Sequence, residues 1–131
     1  MSVFGDTSGF LSLLVENDPH HAEAADVWRE VIDADLEVIT TNYVVVETIA
    51  LLHRRFGITG VRRFADKVLP ALSITYVDES THTTSVIALL ASSREGPGLV
   101  DRVSFHTIDR LHLERSFAFD RHFEERGYVR C

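Results

Sequence analysis

Short apolar runs and helix-period stretches alternate along this chain from one end to the other. The first run, Val3-Phe4, passes Gly5 to a carboxylate at Asp6 and two hydroxyls at Thr7 and Ser8, then resumes in Phe10, Leu11, Leu13 and Leu14. This pattern predicts a buried strand handing over to a helix across residues 9–15, with Thr7 or Ser8 as the helix cap. Asn17-Asp18-Pro19 ends that helix. Residues 20–34 set Ala24, Val27, Trp28 and Val31 at helical intervals, and Trp28 reads as a core or interface anchor. Residues 37–41 are β-branched and short, a second strand.

Asn42 reads as the cap of a third helix, running to about Arg55 and stopped by Gly57. Residues 59–71 present Val61, Phe64, Ala65, Val68 and Leu69 on one face, a further helix with Pro70 near its end. A third strand over 73–77, a helix over 80–92, and the loop Arg94-Glu95-Gly96-Pro97-Gly98 follow. Residues 99–113 turn helical again, 116–119 form a fourth strand ending at Asp120, and 122–126 make one helical turn closed by Gly127. Tyr128-Val129-Arg130 reads as a short edge strand. Strands separated by helices imply right-handed parallel crossovers. The predicted fold is a three-layer α/β/α sandwich with a central parallel sheet of four to five strands, in one domain spanning 1–131.

Composition narrows the class. The 131 residues suffice to bury roughly two-thirds of the unfolded surface. With 45% hydrophobic and 25% charged residues the chain matches globular proteins and lacks a disorder signature. Thirteen basic against twenty acidic residues leave a net charge of −7, which argues against a generic basic surface for nucleic acid. A nucleic-acid enzyme stays open, because divalent metal and local arginines offset carboxylates at one site. The one cysteine, Cys131, excludes an internal disulfide and a cysteine-based zinc cage. No stretch has the apolar length of a membrane span, and the N-terminus lacks the basic and apolar regions of a signal peptide. A cytoplasmic protein is expected.

Four carboxylates stand out by context. Asp6 ends the first strand, where a helix cap and a ligand-binding group are both open readings. Glu47 interrupts the apolar series Val44-Val45-Val46 and Ile49-Ala50-Leu51-Leu52; a narrow polar stripe shared with Tyr43 would also account for it. Asp101 opens the helix after Gly98, a position that complements a helix dipole. Asp120 closes the fourth strand, a usual place for a turn residue. Each has an ordinary structural explanation alone. Together they fall at corresponding places on one side of a parallel sheet, its carboxyl edge, where ligands bind in open α/β folds. Like charges gathered there must have raised pKa values or be neutralised by metal, and an all-oxygen donor set suits Mg²⁺ or Mn²⁺ rather than zinc. Such an ion activates water and stabilises charge on a phosphodiester. The chemistry indicated is that of a metal-dependent nuclease, with Asp6 the central ligand and the capping role passing mainly to Thr7 and Ser8.

The same residues resemble the motifs of the PIN domain, and more closely those of the VapC toxins of bacterial and archaeal toxin–antitoxin pairs. Asp6-Thr7-Ser8 before a hydrophobic helix is similar to the first motif, and Glu47 after its hydrophobic run to the second. Leu99-Val100-Asp101-Arg102-Val103-Ser104-Phe105 is similar to the third, and Phe119-Asp120-Arg121-His122-Phe123 running on to Gly127 to the fourth. The resemblance implies Mg²⁺ or Mn²⁺ held by Asp6, Glu47, Asp101 and Asp120, with support from Thr7 and Ser8. It further implies endonucleolytic cleavage of RNA, a homodimer, and a cognate antitoxin that reaches the acidic pocket. Gly98 departs from the small polar residue that the family often carries before the third motif. Two other readings have a place: a PIN-domain nuclease of RNA processing or repair without an antitoxin, and a non-catalytic PIN-like binding module.

The seven histidines show no paired ligand spacing. His122, beside Asp120, reads as a packing or surface residue or as a substrate contact. Arg54-Arg55 with Arg62-Arg63 around Gly57 read first as cations that complement a helix C-terminus on a solvated face, with contact to RNA phosphate as the other reading; Arg110, Arg115 and Arg121 form a second group that could lie nearer the acidic residues. Sequence alone does not rank them.

Overall fold

The structure, a computed structural model, describes residues 1–127 and 129–131. In chain order its elements are β1 (Ser2–Gly5), α1 (Thr7–Leu14), α2 (His21–Asp33), β2 (Glu37–Thr41) and α3 (Asn42–Lys67). These are followed by β3 (Leu72–Thr75), α4 (Glu79–Leu90), α5 (Leu99–Arg110), β4 (Arg115–Phe117), α6 (Arg121–Glu125) and β5 (Val129–Arg130). The five strands among the described residues form one sheet in the order β3-β2-β1-β4-β5, and every pairing is parallel. The expected α/β/α architecture is therefore the one found. The strand order reverses direction at β1, which lies between β2 and β4. In an open parallel sheet the crevice for a ligand opens at this switch point, outside the carboxyl ends of the strands.

Alternation along β1 builds the two helical layers. Phe4 meets Phe123 of α6, centroids 6.4 Å apart, and Phe123 in turn meets Phe105 of α5 at 5.0 Å. The opposite face at Gly5 is filled by the ring of Phe10. Phe10 gathers Phe64 (5.8 Å), Phe117 (6.1 Å) and Trp28 (6.4 Å, nearly perpendicular), so Trp28 is a core anchor. Edge-on and tilted aromatic contacts add about 0.5–1.5 kcal/mol each beyond the area they bury.

Several boundaries differ from the sequence reading, each for a local reason. Helix α1 starts at Thr7 because Asp6 itself accepts the capping hydrogen bond from the Ser8 main-chain N–H, so neither Thr7 nor Ser8 is the cap. Thr41, not Asn42, caps α3, accepting from the Val44 N–H at 3.2 Å. The Asn42 carboxamide instead accepts from the Val77 N–H at 2.8 Å and holds the turn after β3. The two helices read on either side of Gly57 follow one another as α3, bent where Gly57 takes φ 67° and ψ −160°. Those dihedrals suit only glycine. Strand β3 ends at Thr75 because its partner β2 ends at Thr41. Strand β4 ends at Phe117 because the Phe119 N–H turns away to the hydroxyl of Ser8. Tyr128, read as part of the final strand, lies outside the described residues.

One glycine sets the junction of α1 with the sheet. A Cβ on Gly9 would stand 2.3 Å from the main-chain oxygen of Phe117, the same oxygen that accepts from the Asp6 N–H at 3.1 Å. Gly9→Ala is therefore expected to cost about 1–3 kcal/mol by overpacking, measured from chemical denaturation midpoints. A loss below about 0.5 kcal/mol, the range of ordinary surface changes, contradicts this close approach.

Candidate active site

Asp6 arrives at the carboxyl end of β1, in extended conformation, and its side chain is only 3% exposed. Its Oδ2 accepts from the Ser8 N–H at 3.0 Å and from the Ser8 hydroxyl at 2.6 Å. The Ser8 Oγ also accepts from the Phe119 N–H at 2.9 Å. One hydroxyl thus ties the end of β1 to the segment that leads from β4 to Asp120. Thr7, equally buried, shares a 3.0 Å hydrogen bond with the Thr48 hydroxyl, which donates to the Val44 carbonyl at 2.8 Å. That contact fixes α1 against the turn of α3 that carries Glu47. Asp101 lies in the first turn of α5, and Asp120 caps α6, accepting from the His122 N–H at 2.8 Å.

The electrostatics join the four acids. Burial pushes the Asp6 carboxyl up to about 6 against the hydrogen bonds from Ser8, and the charges of Glu47 and Asp120 push the same way. Asp101 is pushed up to about 7, first by burial and then by Asp6, Asp120 and Glu47, with Arg102 opposing. Carboxylates without compensating cations near neutrality are costly. Asp101, Asp120 and His122 also offer ligand atoms that all lie within 4.8 Å of one another. The donors are oxygens with one imidazole, and at Asp101 the neighbouring acids outweigh Arg102. This set fits a divalent cation.

His122 is the site residue whose place was not decided by the sequence. It stands two positions after a helix-capping aspartate, on an element of only five residues, where no hydrophobic period separates a packed face from an open one. Of the arginines, Arg110 lies with Arg102 and Arg126 in a cavity between α4 and α5, whereas Arg63 lines a different one beside the bend of α3. Arg115 lies away from both, near the N-terminus of β1, and Arg121 is exposed and paired with Glu125 at 3.9 Å.

A parallel sheet whose switch point gathers carboxylates from a strand end and three helices is the arrangement of the PIN domain. The family model for the PIN domain matches residues 3–127, and this chain belongs to that family. Among characterised relatives it is similar to the 23S rRNA-specific endonuclease VapC20 of Mycobacterium tuberculosis, in strains CDC 1551 / Oshkosh and H37Rv. Each is 27% identical over 128 residues, covering 97% of this chain and 95% of the relative. The crystal structure of Mycobacterium tuberculosis VapC20 (Rv2549c), described as a sarcin-ricin loop cleaving toxin, superposes with a TM-score of 0.81 at 27% identity. The match covers 98% of this chain and 97% of that one.

Raised carboxyl values carry a stability consequence. In the metal-free protein the folded state holds protons that the unfolded state has already lost. Stability is therefore full below the ordinary value of 3.8 and declines as pH rises through about 6 and 7. Asp6→Asn keeps a capping side chain and removes the charge. It is expected to raise metal-free stability above that range by up to about 3 kcal/mol and to flatten the pH dependence. Thermal unfolding across pH in a chelating buffer measures this; a wild-type midpoint that climbs through the same range contradicts it.

Proposed function

We propose that this chain is a metal-dependent endoribonuclease, the toxin of a type II toxin–antitoxin pair. The observation that carries the reading is the convergence of Asp6, Glu47, Asp101 and Asp120 on one electrostatic cluster at the switch point of a PIN-domain sheet. Similarity to VapC20 over nearly the whole chain supports the toxin assignment and makes the large ribosomal RNA the first substrate to test.

In this reading Asp6, Asp101, Glu47 and Asp120 hold Mg²⁺ or Mn²⁺, and His122 borders the same site. Bound there, the ion supplies Lewis-acid activation of water and positive charge for the phosphate. The protein's part is to hold the carboxylates in place beforehand. Ser8 locks the Asp6 rotamer through two hydrogen bonds and, through Phe119, keeps Asp120 within reach of Asp101. The Thr7–Thr48 contact does the same for Glu47 from beneath α3. Crowding these carboxylates as anions is costly without a counter-charge, which makes the cluster a strong attractor for a divalent cation.

The partners in this reading are the RNA substrate, a cognate antitoxin and a second copy of the chain, in the cytoplasm. Val46 on α3, Tyr76 after β3, and Ile87 and Leu90 on α4 are among the large apolar side chains left exposed, which supports a homodimer. No helix among the described residues is long and apolar enough to cross a membrane.

The test is cleavage of ribosomal and transfer RNA with Mg²⁺ or Mn²⁺. Asp6→Ala and Asp101→Ala are expected to abolish it. Ser8→Ala is expected to lower activity or metal affinity roughly 10–100-fold, the usual effect of removing an outer-shell partner. Wild-type activity in both aspartate variants overturns the assignment of the site.

A further inference from the structure

A groove of about 590 Å³ runs between α4 and α5 and is rich in cations, on a chain whose net charge is −7. Its wall on α5 carries Arg102, His106 and Arg110, at i, i+4 and i+8, with Arg126 across from them at the end of α6. Residues four apart on a helix stack in a row about 6 Å per step. The row begins beside Asp101 and leads directly away from the acidic cluster. The backbone phosphates of an extended single strand recur at a similar interval.

Two details mark this groove as built for an anion rather than as a chance gathering of charge. Ser85 of α4 lines it, only 3% exposed, and its hydroxyl has no hydrogen-bond partner among the described residues. An unpaired buried hydroxyl costs about 1–3 kcal/mol, so this wall of the groove carries a polar group whose need is unmet. Arg126 is braced over the ring of Phe105, 5.4 Å from its centroid, and reaches Asp109 at 3.4 Å. Asp101, Asp109 and Asp78 face this row, and the Arg102 Nε–H donates to the Pro97 carbonyl at 3.0 Å, which leaves its terminal nitrogens to meet a phosphate. The Arg126–Asp109 pair is about half exposed on both sides, and such pairs contribute little. A phosphate accepts two hydrogen bonds from one guanidinium and competes well for it.

We propose that the α4–α5 groove is the docking track for the RNA strand flanking the cleaved bond, with Arg102, His106, Arg110 and Arg126 on successive phosphates. The proposal rests on the nuclease reading of the acidic cluster. It assigns affinity to this face and not sequence readout, because phosphate contacts position a strand without reporting its bases. It also separates the two arginine groups left unranked by the sequence: Arg110 belongs to the track, while Arg54, Arg55, Arg62 and Arg63 on α3 do not.

The experiment is a salt titration of binding to a labelled single-stranded polyuridine oligonucleotide, with Asp101→Asn as background to keep cutting off. Each phosphate contact on a single strand contributes about 0.7 to the slope of log affinity against log salt. Arg110→Gln is expected to lower that slope by about 0.7, and His106→Gln combined with Arg110→Gln to weaken binding further. Arg54→Gln, at an exposed site, is the control and leaves the slope unchanged. In cleaving protein, Arg110→Gln raises KM and spares kcat. An unchanged slope for Arg110→Gln in a protein whose parent cleaves RNA overturns the track alone. So does a slope lost only in the Arg54→Gln variant, or a changed oligomeric state or antitoxin affinity with RNA binding intact. A parent protein that neither binds nor cuts RNA overturns the nuclease reading and the track with it.

Discussion

Asp6 is a nearly fully buried carboxylate whose hydrogen-bond partners are a main-chain N–H and a serine hydroxyl, with no cation among the described partners. Much of the local architecture follows from keeping that group where it is. Capping α1 supplies one donor and the favourable end of a helix dipole. Ser8 supplies the second donor and passes the constraint on to Phe119. Gly9 lets the helix approach close enough for the Asp6 N–H to reach the Phe117 carbonyl. These contacts soften the burial of Asp6 without cancelling it, since its carboxyl still sits at about 6.

The remaining acids are brought to Asp6 by topology. Because β1 is central and β2 and β4 flank it, whatever follows the carboxyl end of each strand converges on one crevice. Asp6 follows β1 directly, Glu47 lies a turn and a half into the helix after β2, and Asp120 follows β4. Asp101 comes in from the first turn of α5, a helix packed against α3 and β2. Affinity for a divalent ion and the cost of crowding these carboxylates are then two aspects of one charge distribution. A protein that held these carboxylates comfortably without metal would bind the metal less tightly.

The fold and the four acids were legible because each breaks a local pattern. Glu47 interrupts an apolar helix, and Asp6 and Asp120 end apolar strands just before a helix. What was not legible depended on partners remote in the chain. Thr41 and Asn42 are both good caps, and the choice falls to Thr41 only because Val77, far along the sequence, claims the Asn42 side chain. Strand β4 stops short of Phe119 because Ser8, more than a hundred residues earlier, takes its N–H. His122 breaks no pattern, and its neighbour Asp101 approaches from another helix. Ranking the arginines required knowing that α4 packs beside α5 to form a groove.

Counting protons during metal binding tests the electrostatic account most directly. Titration calorimetry of Mn²⁺ into the metal-free protein, repeated in buffers of different ionisation enthalpy, gives the number of protons displaced. Net proton release is expected at a pH near the raised values of about 6 and 7, fading to none well above them and shrinking in Asp101→Asn. Tight Mn²⁺ binding with no proton release at any pH in that range contradicts it.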